Sequence, residues 1–244
     1  IFDYDCDFDL NYKNIGFINL ANQTIDEAEL ILEEKLSQTY STIKDPKNST
    51  KLMLELGKLL ISFDSYWLAD AKALNDSVYI SAPIIRKGEY IAGLYTSPNN
   101  KAVLSISQLS DLQKVTAVST PKWRTDWQTL QSLPLKELIQ EDEWLSQARM
   151  VDLGWVDFIL MAFNSTADQS FKMDKIHLVP VKNIGIELKG SRHFVISSKH
   201  PYGEKAMLAI NLGIKELRKK NKIVKAYTQA GFFINSSEIT ILNK

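Results

Sequence analysis

The chain has 244 residues and a mass of 27.7 kDa, too long for one small domain and suited to two lobes of roughly 100–120 residues each. Apolar residues make up 45% and charged residues 24%, an ordinary globular composition that excludes a disordered or fibrous chain. Lys+Arg and Asp+Glu both number 29, so no excess positive charge marks nucleic acid or an anionic membrane as a partner.

Mean hydropathy is −0.16, and no apolar run approaches the roughly 18–20 residues of a membrane helix, so the chain reads as not membrane-spanning. The lone cysteine, Cys6, excludes an intramolecular disulfide and a thiolate metal site. The chain opens Ile1-Phe2-Asp3 without a methionine, a basic n-region or an apolar h-region; the expectation is a removed signal peptide or a trimmed start.

The apolar stretch Ile15 to Leu20 predicts a short strand. Thr24-x-x-Glu27 is a capping box, and Ile25, Ala28, Ile31, Leu32 and Leu36 recur at helical spacing, which predicts an amphipathic helix over 25–38. Ser49 or Thr50 caps a second helix that Gly57 ends. Leu59 to Asp64 reads as a buried strand, and Val78–Ile80 and Glu89–Tyr95 as further strands. Turn formers at Thr96 to Asn100 interrupt the pattern, and the alternation then restarts. Lys114–Val118 is a strand, followed by a helix that begins near Pro121 with Thr120 as its cap. A helix over 141–152 precedes the strand Asp157–Phe163. Lys175–Leu188 alternates as a strand, Arg192–Ile196 is another, and Gly203–Asn221 and Ile223–Gln229 are helical.

This order predicts an α/β fold of two lobes, each a mixed sheet flanked by helices, joined by two crossing hinge strands at Tyr95–Val103 and Phe194–His200. Residues 1–97 and 199–244 then form lobe 1, and 98–198 form lobe 2.

No Gly-x-Ser-x-Gly elbow and no phosphate-binding Gly-x-x-x-x-Gly-Lys-Ser/Thr loop is present. His177, His193 and His200 lack the i, i+4 spacing of helix-borne metal ligands, so neither catalytic residue nor metal nor cofactor is assigned. The positive signal lies at strand ends, where open α/β sheets bind ligands. Asp64, Tyr66 and Trp67 follow one strand, Thr120, Trp123 and Arg124 another, and Phe163 and Asn164 a third. Each group joins an aromatic body to hydrogen-bonding tips, the composition of a small-molecule cleft. Arg124, one turn into its helix beside free amides, suits a carboxylate or phosphate on the ligand.

The two-lobe order resembles that of the periplasmic binding protein-like II superfamily, the bacterial extracellular solute-binding proteins that serve amino-acid ABC transporters. The resemblance is carried by Ser119-Thr120-Pro121 opening the second-lobe helix and by Gly190 to Ser197 leading into His200-Pro201-Tyr202-Gly203-Glu204-Lys205. The ending, Ile214 to Lys219 followed by Ile223-Val224-Lys225-Ala226-Tyr227, is also similar. Amino-acid-binding members carry a carboxylate-clamping Arg after the first crossing strand; here Tyr95 to Asn100 contains none. Asn164 stands where those members place an Asp for the ligand amine. The resemblance therefore implies a small polar solute other than an ordinary α-amino acid, captured in the periplasm and delivered to a membrane transporter permease. A sensory module on the same fold is the rival reading, and an enzyme on that scaffold is a third. The finish Ile241-Leu242-Asn243-Lys244 reads as a natural terminus, which favours the free receptor.

Overall fold

Thr50 opens the first helix of the computed structural model, which describes residues 50–62, 64–234 and 238–244. The expected strand at 15–20 and helix at 25–38 lie outside the described residues. Helix α1 (Thr50–Glu55) buries Met53 and Leu54. It stops in a Schellman motif, with the Lys58 amide donating to the Met53 carbonyl at 2.9 Å and the Gly57 amide to that of Leu54 at 3.1 Å. Gly57 takes the left-handed φ of +68° that this stop requires.

The run predicted as a strand at 59–64 is only partly one. Ile61 bridges Ile196, and regular pairing resumes at β1 (Tyr66–Trp67), with Tyr66 opposite His193. From Ile61 to Tyr66 is five residues (66 − 61), against three on the partner (196 − 193), and the surplus bulges out. The bulge carries the exposed Asp64, whose carbonyl accepts from the Ser62 hydroxyl at 2.7 Å. After β1 come α2 (Leu68–Lys72), a 3-10 turn at Asn75–Ser77 and β2 (Val78–Ile85).

There follow β3 (Ile91–Thr96), α3 (Lys101–Leu104), a 3-10 helix at Leu109–Lys114, β4 (Thr116–Ser119), α4 (Arg124–Gln131) and β5 (Glu137–Gln140). The chain continues through α5 (Trp144–Asp152), β6 (Phe158–Ala162), β7 (Phe171–Met173), β8 (Ile176–Pro180) and β9 (Ile184–Glu187). It ends with β10 (Arg192–Ser197), α6 (Gly203–Lys219), α7 (Lys222–Gln229) and β11 (Thr240–Ile241).

The chain divides into two compact units. Among the described residues, unit 1 runs from Thr50 to Ile85 and includes Ser191–Ala226; unit 2 comprises Arg86–Gly190 and the chain from Tyr227 onward. The expected boundaries at 97/98 and 198/199 are thus corrected to 85/86 and 190/191, and a third passage occurs at 226/227. β3 is no crossing strand, because it pairs with β6, β8 and β9 inside unit 2, and β10 pairs with β1 and β2 of unit 1. The C-terminal segment leaves unit 1 for physical reasons that act over long sequence distances. β11 pairs parallel with β9, and the Asn243 side chain exchanges two hydrogen bonds with the Glu187 backbone, at 2.9 and 3.0 Å. Phe232 packs edge-on against Tyr90, with ring centroids 4.7 Å apart.

Among the described residues unit 1 has a wholly antiparallel sheet, ordered β1-β10-β2, where a mixed sheet was expected. Its core joins Leu54, Ala71, Leu74, Val78 and Val195. α6 buries Ile210, Gly213, Ile214 and Leu217, one helical stripe, and is fixed to β2 by two side chains. Asn211 accepts from the Ala82 amide at 2.6 Å, and Arg218 donates to the Ile84 carbonyl at 2.6 Å.

Unit 2 is built on a mixed sheet ordered β11-β9-β3-β6-β4-β5, with the β7–β8 hairpin attached through β8 to β3. β4, β5 and β6 run parallel and β3 antiparallel to β6. β6 is buried along nearly its whole length, as the continuous apolar run Phe-Ile-Leu-Met-Ala suggests for a strand covered on both faces. Ala148 and Val151 of α5 pack on Tyr95, Val118 and Ile159. The run expected as one strand over 175–188 is two strands, broken at Val181–Asn183, where Asn183 has φ +58°.

One carboxylate organises an edge of this sheet. Asp157, just before β6, accepts from the Thr116 amide at 2.8 Å and hydroxyl at 2.9 Å through Oδ2, and from Asn100 at 3.0 Å through Oδ1. Its carbonyl accepts from the Thr96 hydroxyl at 2.6 Å. The start of β4, the start of β6 and the end of β3 are thereby joined at one edge.

Gly231 tests the placement of the C-terminal segment. It has φ +75°, and a Cβ there would lie 2.2 Å from the carbonyl carbon of Asn164. Gly231→Ala is expected to cost at least the roughly 1–3 kcal/mol of a strained left-handed residue, read as a lowered urea midpoint with an unchanged m-value. An unchanged midpoint would remove the C-terminal segment from unit 2.

Candidate functional site

In unit 2 the site residues gather at the edge opposite Asp157, where the parallel strands end. β4 ends at Ser119, and Thr120 follows, 1% exposed. Its hydroxyl donates to Oδ1 of Asp142 at 2.7 Å and accepts from the Lys122 amide at 3.2 Å. The Lys122 ammonium lies 2.9 Å from Oδ2 of Asp142. Asp142 follows β5, so this three-residue network ties the ends of two neighbouring strands together. The hydrogen bond from Thr120, then that from Lys122, holds the Asp142 carboxyl below its ordinary range, and the bond to Asp142 raises Lys122.

Helix α4 begins at Arg124, with Trp123 as its N-cap residue and no side-chain cap bond. The expected helix start near Pro121 and the Thr120 cap are therefore corrected: Thr120 caps the turn ahead of the helix, and its hydroxyl is committed to Asp142. Trp123 is half-buried and Arg124 exposed at the first helical position; each already engages other groups of the chain. Crossover direction reverses at β4, since β5 lies on one side of it and the chain then returns to β6 on the other. The crevice rule for open sheets places ligands at such a reversal, outside the carboxyl ends of the strands.

β6 ends beside β4, which brings Phe163 and Asn164 to the same edge. Phe163 is buried and forms part of a cavity wall. The Asn164 side chain is spent on its own loop: its amide donates to the carbonyls of Gln169 and Ser170 at 3.3 and 3.1 Å, and its oxygen accepts from the Thr166 amide at 2.9 Å. Asn164 thereby shapes the loop that follows β6.

In unit 1 Asp64 is exposed on the bulge, while Tyr66 and Trp67 are half-buried on β1. Burial, then the negative charges of Asp64 and Asp70, raises the Tyr66 hydroxyl above its ordinary 10.0, so it stays a hydrogen-bond donor at neutral pH. Trp67 faces Arg192 across the strand pair, with the guanidinium carbon 5.4 Å from the ring centroid. Arg192 also donates to the Ser65 carbonyl, closing the far side of the bulge.

Sequence reasoning missed Arg192. It lay in the stretch that carried the family resemblance, yet its role depends on a partner 125 positions away (192 − 67), and one strand read alone cannot show that pairing. His193 is also missing from the expected set. Its Nδ1 meets the Ser81 carbonyl at 2.7 Å, which only accepts, so Nδ1 carries a proton; Nε2 lies 2.8 Å from the Ser191 hydroxyl.

These two units, each with polar and aromatic residues at its strand ends, have the fold of the type 2 periplasmic binding proteins. The periplasmic VFT2 domain of BvgS from Bordetella pertussis superposes with a TM-score of 0.53 at 12% identity, covering 74% of this chain and 71% of that one. The probable amino-acid ABC transporter extracellular-binding protein ytmK from Bacillus subtilis gives a TM-score of 0.53 at 13% identity, over 82% and 85%. No family model matches the chain, and no curated protein matches it in sequence.

The Asp142 network predicts a titration. A carboxyl depressed on folding stabilises the fold above its unfolded value, near the ordinary 3.8, and loses that contribution as pH falls through the lower folded value. Thr120→Val removes the largest cause, and NMR of the side-chain carboxyl carbon is expected to show Asp142 titrating closer to 3.8 than in the wild type. An unmoved titration would show that Thr120 does not set this group.

Proposed function

We propose that the protein is an extracytoplasmic solute-binding receptor, which captures a small polar molecule between its two units and presents it to an ABC transporter. The observation that supports this reading most is the fold, shared over most of its length with an extracellular-binding protein and with the periplasmic VFT2 domain of BvgS. The strand-end chemistry agrees with it: Tyr66 offers a donor, Trp67 an aromatic face stacked by Arg192, and the start of α4 brings an indole at Trp123 and a guanidinium at Arg124. Binding then acts by population shift, since a solute that touches both units favours the closed arrangement by its differential affinity for it. The role is capture and release, with no chemical step.

A sensory module is the second reading, favoured by the likeness to the VFT2 domain of BvgS. The two readings share the ligand site and differ in what receives the bound form.

A thermal-shift screen over amino acids, amines, carboxylates and sugars tests the shared claim. A ligand at about 100 times its dissociation constant adds roughly 2.7 kcal/mol of stability, readily seen as a raised midpoint. Trp67→Ala is expected to lower affinity at least about tenfold, as a central aromatic anchor does. Without ligand it forfeits the stacking on Arg192, roughly 0.5–1 kcal/mol, and the packing of a half-buried ring, and its cost is expected to stay below the roughly 3–5 kcal/mol of a core tryptophan. Strong destabilisation with unchanged affinity would make Trp67 a packing residue. Arg124→Ala reads the ligand's charge: a carboxylate or phosphate ligand loses roughly 1.5–3 kcal/mol of binding and a neutral one loses almost nothing.

A further inference from the structure

One face of α6 stays outside the packing of unit 1. Its buried stripe is fixed to β2, whereas Leu208 and Leu212, one turn apart, are 60% and 57% exposed. At about 100° per residue, Lys205, Leu208, Leu212, Lys215 and Lys219 fall within about 80° of arc, so three exposed lysines bracket the two leucines. Two carboxylates, Glu204 and Glu216, flank this stripe on either side. From Glu204 to Lys225 the chain carries seven cations and two carboxylates, a concentration that the zero net charge of the whole chain hides. β2, beneath the helix, has no charged residue.

The stability of the helices accounts for only part of this charge. Arg218 is spent on the Ile84 carbonyl, and Lys219 and Lys220 complement the negative end of α6. Lys205 and Lys222 stand instead in the first turns of α6 and α7, where the helix field opposes a cation. A second copy of the chain does not suit the face. A two-fold antiparallel crossing midway between the leucines sets Leu208 against Leu212 of the copy, but also Lys205 against Lys215 and Glu204 against Glu216, so like charges meet. A protein partner suits it little better, since protein interfaces deplete lysine and anchor on Trp, Tyr and Arg. A phosphate backbone offers nothing to the leucines.

We propose that this face of α6 rests on an anionic lipid surface, the lysines among the head groups and the two leucines at the acyl boundary. Charge complementarity sets the sign, and the leucines select a surface with an apolar layer beneath its charge. Long lysine stems let the ammonium groups stay at head-group level while Leu208 and Leu212 reach deeper. A lipid surface also meets a convex helix without needing a pocket. The contact does not rest on the receptor reading, because it uses none of the strand-end residues.

The test floats the full chain with vesicles of phosphatidylcholine alone and of equal parts phosphatidylcholine and phosphatidylglycerol. The protein is expected on the anionic vesicles at low salt and absent from the neutral ones. It should be released at about 1 M salt, where the screening length falls to about 3 Å. Lys215→Gln with Lys219→Gln should weaken binding roughly thirtyfold, the effect of two lysines near an anionic surface. Leu208→Gln with Leu212→Gln should weaken it at least about tenfold. All four side chains are exposed, so each double variant should melt close to the wild type, which separates lost docking from lost folding. Four results would overturn the assignment: no binding at low salt, equal binding to neutral vesicles, either double variant binding as the wild type does, or equal affinity for a poly-glutamate peptide. The last would make the partner an acidic protein.

Discussion

The carboxylate of Asp157 fixes the edge of unit 2 from which the rest of that unit is organised. Three strand ends converge on it, and its two oxygens accept three donors from Thr116 and Asn100. Buried donors left without an acceptor would each cost about 1–3 kcal/mol, so the convergence is enforced. Because β4 and β6 are parallel and held in register at their starts, their ends must also lie side by side. Thr120, Trp123 and Phe163 therefore reach one edge as a consequence of bonds made at the other. The Thr120–Asp142–Lys122 network then extends the same registration to β5.

Unit 1 solves a similar problem with a bulge. Its short strand β1 and the bridge at Ile61 both pair with β10, and the two surplus residues between them push Asp64 outward while leaving Tyr66 and Trp67 in the sheet. Arg192 supports both features, bonding the Ser65 carbonyl and covering the Trp67 ring. In unit 1 a guanidinium stands over a tryptophan near a strand end; in unit 2 Trp123 and Arg124 follow one another at the start of α4.

Much of the fold was legible in the sequence, because apolar runs bounded by turn formers are local signals. β4, β6 and β10 emerged within about two residues, and Gly57 marked the end of α1. Long-range pairing was not legible. Nothing local shows that Tyr227–Lys244 belongs to unit 2, since that depends on β9, Tyr90 and Glu187. The same limit hid Arg192. Asn164 was singled out by its position at a strand end; Asn side chains also close their own turns, and here the amide bonds the following loop, which its position alone does not show. Thr120 was placed correctly at the strand end, yet it caps the turn ahead of the helix by accepting from the Lys122 amide, and the acceptor for its own proton, Asp142, lies 22 positions away (142 − 120).

The receptor reading makes the solute the agent that draws the two units together. Small-angle X-ray scattering tests this directly, on the full chain with and without a saturating compound that raises its melting midpoint. The account predicts a smaller radius of gyration with the solute bound, and reversal of that change when the solute is dialysed away. An unchanged radius at full occupancy would contradict it.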